Sequence, residues 1–393
     1  MSPSQLPPEQ WHLRDEILRR IDRIAPILEA DVDAAEALRR LPDTTVEALR
    51  TSGLLALKTP SELGGFEAEP ALQYEVFERM GYHSAPAAWC WFIYADSAGA
   101  MAARLSDAGL ERFLDNGQVP VCCGGGGLRP GALTAVDGGY LLSGKFRYGS
   151  GIHHAQWVLL SGFAAGEGET RGRVLSCVVR RDDLKSIDNW HVLGLRGTGS
   201  GDYTADSVFV PTELTFNPSG APRRGGRQYR TGVVGYLGYT VPALCVALAR
   251  RALDELTERA PTRMRGYAKP SLLAGSGAFQ SFLGEADQKL KAAASLMIAN
   301  GLAHMEHVDR GDIDLRAADA DTRAAAAYAV RLASDVMADA VRFAGGEALR
   351  KGQYLERAFR DLTMAASHQL VSMTAYENHA QFLLGIPGAD PMA

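Results

Sequence analysis

Residues 138–157 read GGYLLSGKFRYGSGIHHAQW, a β-type run that leads into a glycine-rich turn. Apolar runs of four to six residues, bounded by turn residues, are typical of strands. Similar runs lie on both sides of this stretch, at residues 133–136, 157–161, 174–179 and 207–210. Together they predict a small sheet or barrel in the middle of the chain.

Helical periodicity dominates the chain before and after this region. Ile17, Ile21, Ile24 and Ile27 or Leu28 recur every three or four residues, as on one face of a helix. After an arginine- and glycine-rich connection at residues 222–232, long alanine-rich amphipathic stretches continue to residue 384. We therefore predict an α+β fold, mostly α, with a helical domain at 1–117, a β domain at 118–212 and a helical bundle domain at 213–393.

Composition excludes several classes of function. The net charge is -5 and the 41 Lys and Arg are scattered, so no basic surface for nucleic acid is expected. Residues 1–10 do not resemble a secretion signal, and no later segment appears apolar enough to span a bilayer. The five dispersed cysteines lack the spacing of a zinc site. We expect a cytoplasmic protein with reduced cysteines and no membrane partner.

Four local motifs follow one another along nearly the whole chain. They are G-L-L with P-S-E-L-G-G (residues 53–55 and 60–65), G-G-Y-L-L-S-G-K-F (138–146), G-L-R-G-T-G-S with V-F-V-P (194–200 and 208–211), and G-G with R-D (345–346 and 360–361). In this order they resemble the acyl-CoA dehydrogenases. The resemblance implies an N-terminal helical domain, a middle β-barrel or sheet domain and a C-terminal four-helix bundle.

Departures from the dehydrogenase pattern are similar to those of a hydroxylase branch, the group D flavin monooxygenases. Residues 124–132 replace the dehydrogenases' T-E-P-x-x-G-S-D segment, and residues 150–157 resemble the hydroxylases' S-G-x-x-H-A-x-W. Where many dehydrogenases place a catalytic glutamate after the R-D pair, this chain has Ser367, His368 and Gln369. Glu377 lies about eight residues further on and is not counted as that base.

The resemblance implies the oxygenase component of a two-component monooxygenase. Such enzymes use reduced flavin and O2, through a C4a-hydroperoxide, to hydroxylate a small substrate. Reduced flavin here means FADH2 or FMNH2, between which the sequence does not choose. A substrate of phenol or indole type is favoured, and N-oxygenation of an amino sugar and acyl-CoA dehydrogenation stay open as alternatives. Because no G-x-G-x-x-G opens a helix after a strand, we expect a separate NAD(P)H-flavin reductase.

Two residues are the candidate catalytic groups. His368 stands at the register of the missing glutamate, and an imidazole that titrates near neutrality can take a proton from a phenol, indole or amine. Ser150 falls where the dehydrogenases place a threonine beside flavin N5, so its hydroxyl is expected to hydrogen-bond N5 or O4. The alternatives are a structural histidine of the bundle core and an ordinary turn serine.

Further residues are candidates for cofactor and substrate binding. For the flavin phosphate we expect the turn formed by Thr198, Gly199, Ser200 and Gly201, and Arg263 or Arg265 with Gly345 and Gly346. The resemblance implies that such an arginine reaches a neighbouring subunit's flavin, hence a homotetramer or at least a homodimer. The predicted substrate pocket consists of Trp89, Phe92, Tyr94 and His379, the last on the same helix face as His368. The alternatives are that the aromatic residues belong to the core and that His379 is structural.

The adjacent histidines His153 and His154 suggest a metal pair at first sight. Neighbouring residues of a strand point to opposite faces, so the two side chains cannot easily share one ion. We therefore predict no metal site.

Overall fold

The computed structural model describes residues 6–124, 129–164, 172–266 and 270–393. Its first part is helical. The predicted stripe on the first helix is buried, since Ile17, Ile21, Ile24 and Leu28 face the core, whereas Ile27 is 41% exposed. The helices of this part are α1 (Pro8–Ala30), α2 (Val32–Leu38), α3 (Asp43–Thr51), α4 (Pro70–His83), α5 (Ala85–Arg104) and α6 (Asp107–Phe113).

The middle of the chain forms one sheet. Its strands are β1 (Cys122–Gly124), β2 (Gly131–Val136), β3 (Gly139–Phe146), β4 (Trp157–Ala164), β5 (Arg173–Arg180), β6 (Lys185–Ser186), β7 (Tyr203–Pro211) and β8 (Thr215–Phe216). They are ordered β6-β7-β3-β2-β4-β5-β8, and β1 pairs with β4. Because β8 pairs with β5, the sheet extends to Phe216, beyond the predicted boundary at residue 212. The unusual segment at 124–132 lies partly outside the described residues.

The last part is again helical. Its helices are α7 (Gly232–Leu237), α8 (Thr240–Arg259), α9 (Gly277–Asp309), α10 (Arg316–Ala344), α11 (Tyr354–Ala366) and α12 (Thr374–Leu383). The long helix α10 packs against α8, α9, α11 and α12. A short hairpin, β9 (Met264–Arg265) with β10 (Ser271–Leu272), interrupts the predicted run of helices between α8 and α9. The chain is thus mostly helical with a sheet region, as the sequence predicted.

One segment is long and apolar enough, by length and composition, to cross a bilayer, contrary to expectation. It spans Gly232–Arg259, and 78% of its most apolar stretch is buried inside the protein. The alanine-rich face of α8 packs against α4, α9 and α10, so its low polarity reflects a core position.

A close-packed junction joins the loop between β6 and β7 to α11. Gly194 lies against the backbone of α11, where an added Cβ would sit 2.0 Å from the Arg360 carbonyl oxygen. Beside it, the Leu195 amide donates to Asp361 Oδ1 at 2.6 Å, and the Arg360 guanidinium donates to the Leu193 carbonyl at 2.9 Å. The third and fourth sequence motifs therefore meet in space.

We expect Gly194→Ala to destabilise the protein, because the methyl group cannot fit without displacing the loop from α11. Overpacking of this kind costs about 1–3 kcal/mol. Gly284→Ala is the matched control, since an added Cβ there meets nothing within 4 Å and its helical position favours alanine by about 1 kcal/mol. Thermal unfolding measures both; equal melting temperatures for the two variants would contradict the close approach.

Candidate active site

Ser150 lies in the turn after β3, where its side chain is only 4% exposed. The turn is pinned to the loop before β7, because the Gly149 amide donates to the Gly201 carbonyl (3.0 Å) and the Gly151 amide to the Thr198 carbonyl (2.8 Å). Gly151 has φ +72°, and a Cβ there would lie 2.4 Å from the Tyr94 ring. Glycines on both sides therefore let this turn fit between the loop and α5.

Trp89 of α5 contacts both predicted catalytic residues. Its indole N–H donates to Ser150 Oγ at 3.1 Å, and its ring packs edge-on against the His368 imidazole, with centroids 5.7 Å apart. Residues from three distant segments thus form one cluster around a half-buried indole.

The other two aromatic residues predicted for the pocket are part of the core instead. Tyr94 is 1% exposed and donates its hydroxyl to the Gly151 carbonyl at 3.1 Å, so it supports the turn from beneath. Phe92 is 7% exposed and packs edge-on against Trp89 and Phe77. Of the predicted aromatic wall, Trp89 is the residue with an open surface.

His368 lies in the connection between α11 and α12 and caps a short 3-10 helix at Gln369–Val371. Its Nδ1 accepts the Leu370 amide at 3.3 Å. This hydrogen bond assigns the ring proton of the neutral imidazole to Nε2. The residue is exposed, but neighbouring protein desolvates the imidazole and lowers its pKa below the ordinary 6.5. At neutral pH the free edge of His368 is therefore an N–H donor.

The prediction that His379 shares a helix face with His368 is wrong. The helix ends at Ala366 and a new one begins at Thr374, so the 3.6-residue period does not run through the connection. His379 Nε2 lies 3.6 Å from Asp321 Oδ1 of α10, away from the contacts of Trp89. Glu377 is exposed on α12.

Most of the backbone amides in the turn formed by residues 198–201, which was predicted to bind a phosphate, are already engaged. Three of its amides already donate within the loop: Thr198 to the Leu195 carbonyl, Gly199 to the Arg196 carbonyl and Gly201 to the Gly199 carbonyl. The turn instead offers side chains. Ser200 Oγ lies 2.6 Å from both Ser150 Oγ and Thr198 Oγ1, a contribution that the sequence analysis missed.

Arg263, Arg265 and Gly345 meet at one end of the bundle, as the sequence analysis grouped them. Gly345 has φ +68°, and a Cβ there would lie 2.6 Å from Arg265 Nη1 and 3.5 Å from Arg263 Nη2. Arg265 also donates to the Arg342 carbonyl at the end of α10 (2.9 Å). Gly346 follows in a 3-10 helix, with space for a larger side chain. The group offers two guanidinium groups beside an accessible backbone.

His153 and His154 have separate surroundings. His154 Nε2 lies 2.9 Å from Asp43 Oδ1, whereas His153 packs over Gly199. Among the residues that the structure describes, no three His, Cys, Asp or Glu side chains converge as a metal site would require.

A cavity of about 720 Å³ is lined by residues of α2, the 191–196 loop and α11. Its walls are charged, and most of these charges form ion pairs, among them Arg39 with Asp188 (2.9 Å), Arg196 with Glu36 (3.3 Å) and Arg360 with Glu36 (2.8 Å). Neither Ser150, Trp89 nor His368 lines it. We therefore place the candidate active site at Ser150, Trp89 and His368.

Comparisons with known proteins agree with this architecture. A family model described as acyl-CoA dehydrogenase, C-terminal domain, matches residues 239–373. The chain is 29% identical to a pigment production hydroxylase from Rhodococcus sp., over 96% of this chain and 99% of that protein. It is 26% identical to the indole-3-acetate monooxygenase of Pseudomonas putida, over 89% and 90%.

Solved structures also superimpose over nearly the whole chain. The 3-HSA hydroxylase from Rhodococcus sp. RHA1 does so with a TM-score of 0.80 at 25% identity, covering 96% of this chain and 99% of that one. XiaF from Streptomyces sp., in complex with FADH2 and glycerol, has a TM-score of 0.87 at 23% identity and 98% coverage of both chains. Residues 239–373 of this chain therefore match the acyl-CoA dehydrogenase C-terminal domain, and the chain as a whole is similar to hydroxylases and oxygenase components of flavin-dependent monooxygenases.

Proposed function

We propose that this protein is the oxygenase component of a two-component monooxygenase that hydroxylates a small aromatic substrate with reduced flavin and O2. One observation carries the proposal: Trp89 holds Ser150 by a hydrogen bond and His368 by ring packing. A group suited to a flavin ring and a group suited to a substrate oxygen thus adjoin the same indole.

The surroundings of Ser150 fit a reduced flavin. Its Oγ already accepts the Trp89 N–H and contacts Ser200, so its orientation is fixed before a cofactor binds. The flanking Gly149 and Gly151 let the turn pack closely against the Tyr203 and Tyr94 rings, which holds the Ser150 backbone in place. When bound, reduced flavin supplies the two electrons with which one atom of O2 enters the substrate and the other leaves as water.

His368 is proposed to hold the substrate oxygen by hydrogen-bond donation. The sequence suggested a general base, but Nδ1 is occupied by the Leu370 amide and Nε2 carries the ring proton. A phenolate oxygen is a strong acceptor for such a donor, and the negative charge on it makes the aromatic ring a better nucleophile. His368 therefore stabilises the ionised substrate, and the phenolic proton is released to solvent and not to the imidazole.

An aromatic substrate is favoured by the half-buried Trp89 ring beside His368, since aromatic rings pack well against one another in partly desolvated sites. Relatives named for indole-3-acetate, p-hydroxyphenylacetate and resorcinol are consistent with this class of substrate. Reduced flavin is proposed to come from a separate NAD(P)H-dependent reductase, as names such as "oxygenase component" imply for those relatives.

A second subunit is proposed to complete the flavin site. Arg263, Arg265 and Gly345 lie near the start of α11, whereas His368 follows its end. A helix of this length spans about 20 Å at 1.5 Å per residue. A flavin ring at Ser150 is therefore far from these arginines in the same subunit, and they are proposed to bind the phosphate of a neighbour's flavin in a homotetramer or homodimer.

The proposed function is tested by supplying the purified protein with reduced FMN or FAD, then ¹⁸O2, with p-hydroxyphenylacetate, resorcinol or indole-3-acetate as probes. We expect one labelled oxygen atom in the hydroxylated product and the other in water. Mass spectrometry of the product measures this. Oxidation of the flavin with no labelled product from any aromatic probe would refute the proposed activity on this class of substrate.

Replacement of His368 separates the donor role from the base role. His368→Ala is expected to lower coupled product formation by about 10²- to 10⁴-fold, the range typical of a positioned proton-transfer or hydrogen-bonding group. His368→Gln, which keeps an N–H donor but cannot take a proton, should retain a measurable part of the activity. Product yield per flavin is the readout, and equal losses in both variants would indicate a base. His12→Gln on exposed α1 is the control.

Ser150→Ala is expected to divert oxygen to H2O2 while the fold and substrate binding are retained. A hydrogen bond in a dry site is worth about 1–3 kcal/mol when its partner is left unsatisfied, or about ten- to hundredfold in rate. Peroxide formed per flavin oxidised gives the yield. Ser334→Ala, which removes a hydroxyl bonded only within α10, is the control. An unaltered peroxide yield in Ser150→Ala would leave Ser150 as a turn residue only.

A further inference from the structure

Three buried hydroxyl groups form a hydrogen-bonded chain at the candidate flavin site. Ser150 Oγ lies 2.6 Å from Ser200 Oγ, which lies 2.6 Å from Thr198 Oγ1. The chain begins at the Trp89 indole N–H, 3.1 Å from Ser150 Oγ, and ends at the Leu195 carbonyl oxygen, 2.8 Å from Thr198 Oγ1. Every link has the length of a hydrogen bond.

The two ends of the chain fix the direction of every link. The Leu195 carbonyl can only accept, so Thr198 spends its one hydroxyl proton there. Ser200 must then donate to Thr198, and Ser150 must donate to Ser200. At the other end the indole can only donate, so it uses one lone pair of Ser150. Ser150 is left with one free lone pair and no free proton.

Burial keeps this arrangement from being rearranged by solvent. Ser150, Ser200 and Thr198 are 4%, 2% and 1% exposed, so water is not at hand to offer other partners. The Leu195 carbonyl also accepts the Trp190 indole N–H at 3.1 Å, and the Leu195 amide is held by Asp361. Hydrogen bonds thus hold both the carbonyl and the amide of Leu195, the residue at the acceptor end of the hydroxyl chain.

We propose that Ser200 and Thr198 are positioning residues that make Ser150 an acceptor only, so that the site selects flavin with a protonated N5 over flavin with a bare N5. The inference rests on the proposed function, in which a flavin ring binds at Ser150. Reduced flavin bears a proton on N5, whereas oxidised flavin has a lone pair there. Ser150 Oγ therefore accepts a hydrogen bond from N5 of the reduced form. In the oxidised form the lone pair of N5 faces the free lone pair of Ser150 Oγ, and the two repel each other.

Such selection suits a protein that receives reduced flavin from elsewhere. The incoming cofactor gains a hydrogen bond to Ser150 that the spent, oxidised cofactor loses. The oxidised product is consequently expelled rather than retained in the site. The selecting element is the direction of the hydrogen bonds, which a serine alone would not fix, since an isolated hydroxyl can rotate to donate or to accept.

The test compares the dissociation constants of oxidised and dithionite-reduced flavin, measured anaerobically with FMN and with FAD, in wild type and Ser200→Ala. Without Ser200, the Ser150 proton is released and can be donated to the bare N5. We expect the ratio of the oxidised to the reduced dissociation constant to fall by about tenfold, the effect of one hydrogen bond. The midpoint potential of the bound flavin should fall by about 30 mV, the equivalent of a tenfold ratio for two electrons.

Two variants of Thr198 complete the test. Thr198→Val removes the acceptor of the Ser200 proton and should lower the ratio in the same direction, even if Ser200→Ala does not fold. Thr198→Ser keeps the hydroxyl and should keep the wild-type ratio. If Ser200 and Thr198 had a purely structural role, their replacement would weaken the binding of both forms of flavin equally and leave the ratio unchanged. That result would overturn this inference but not the proposed function. If wild type binds neither reduced FMN nor reduced FAD, the proposed function fails with it.

Discussion

The candidate site depends on the junction at which Asp361 accepts the Leu195 amide and Gly194 touches the backbone of α11. One side of this junction continues through Thr198 and Ser200 to Ser150, and the other continues along α11 to His368. Burial raises the pKa of Asp361 to about 6, so at neutral pH it is an ionised acceptor. A charged acceptor on a backbone amide forms a strong and directional hydrogen bond. The groups proposed to face the flavin and the substrate are therefore set by the same contact.

The third element of the site, α5, is oriented by a buried ion pair. Lys58 is fully buried, and its ammonium lies 2.6 Å from Asp96 Oδ1 and 3.6 Å from the ring centroid of Tyr236. Asp96 comes seven residues after Trp89, two helical turns further along the same face. Burying such a pair costs desolvation energy that hydrophobic packing would not cost. If α5 were rotated differently, the ion pair would be broken and two charges would be left buried without partners, so the pair favours one rotation of the helix. That rotation directs the Trp89 indole at Ser150 and buries Phe92.

Homology and geometry contribute different parts of the functional conclusion. The family match agrees with the fold that the order of four short motifs predicted, and the full-length relatives are hydroxylases and monooxygenases, the type that the departures from the dehydrogenase pattern predicted. They do not say which atom of His368 is free or which way the Ser150 hydroxyl points. Those properties follow from hydrogen-bond partners, such as the Leu370 amide on Nδ1 and the Trp89 indole on Oγ. The proposed donor role of His368 and acceptor role of Ser150 come from these contacts.

The sequence by itself determined the helical stripe of α1, the five longer strands of the sheet and the candidates Ser150 and His368, because periodicity and short motifs are local properties. Only the tertiary structure decided that the helix ends at Ala366, which separates His368 from His379, and that Tyr94 supports the turn from beneath. It also showed that the 198–201 loop contributes hydroxyl groups beside Ser150. Ser150 meets Trp89 and Ser200 across 61 and 50 residues of sequence. Hydrogen-bond direction depends on all partners at once, and no local pattern encodes partners that distant.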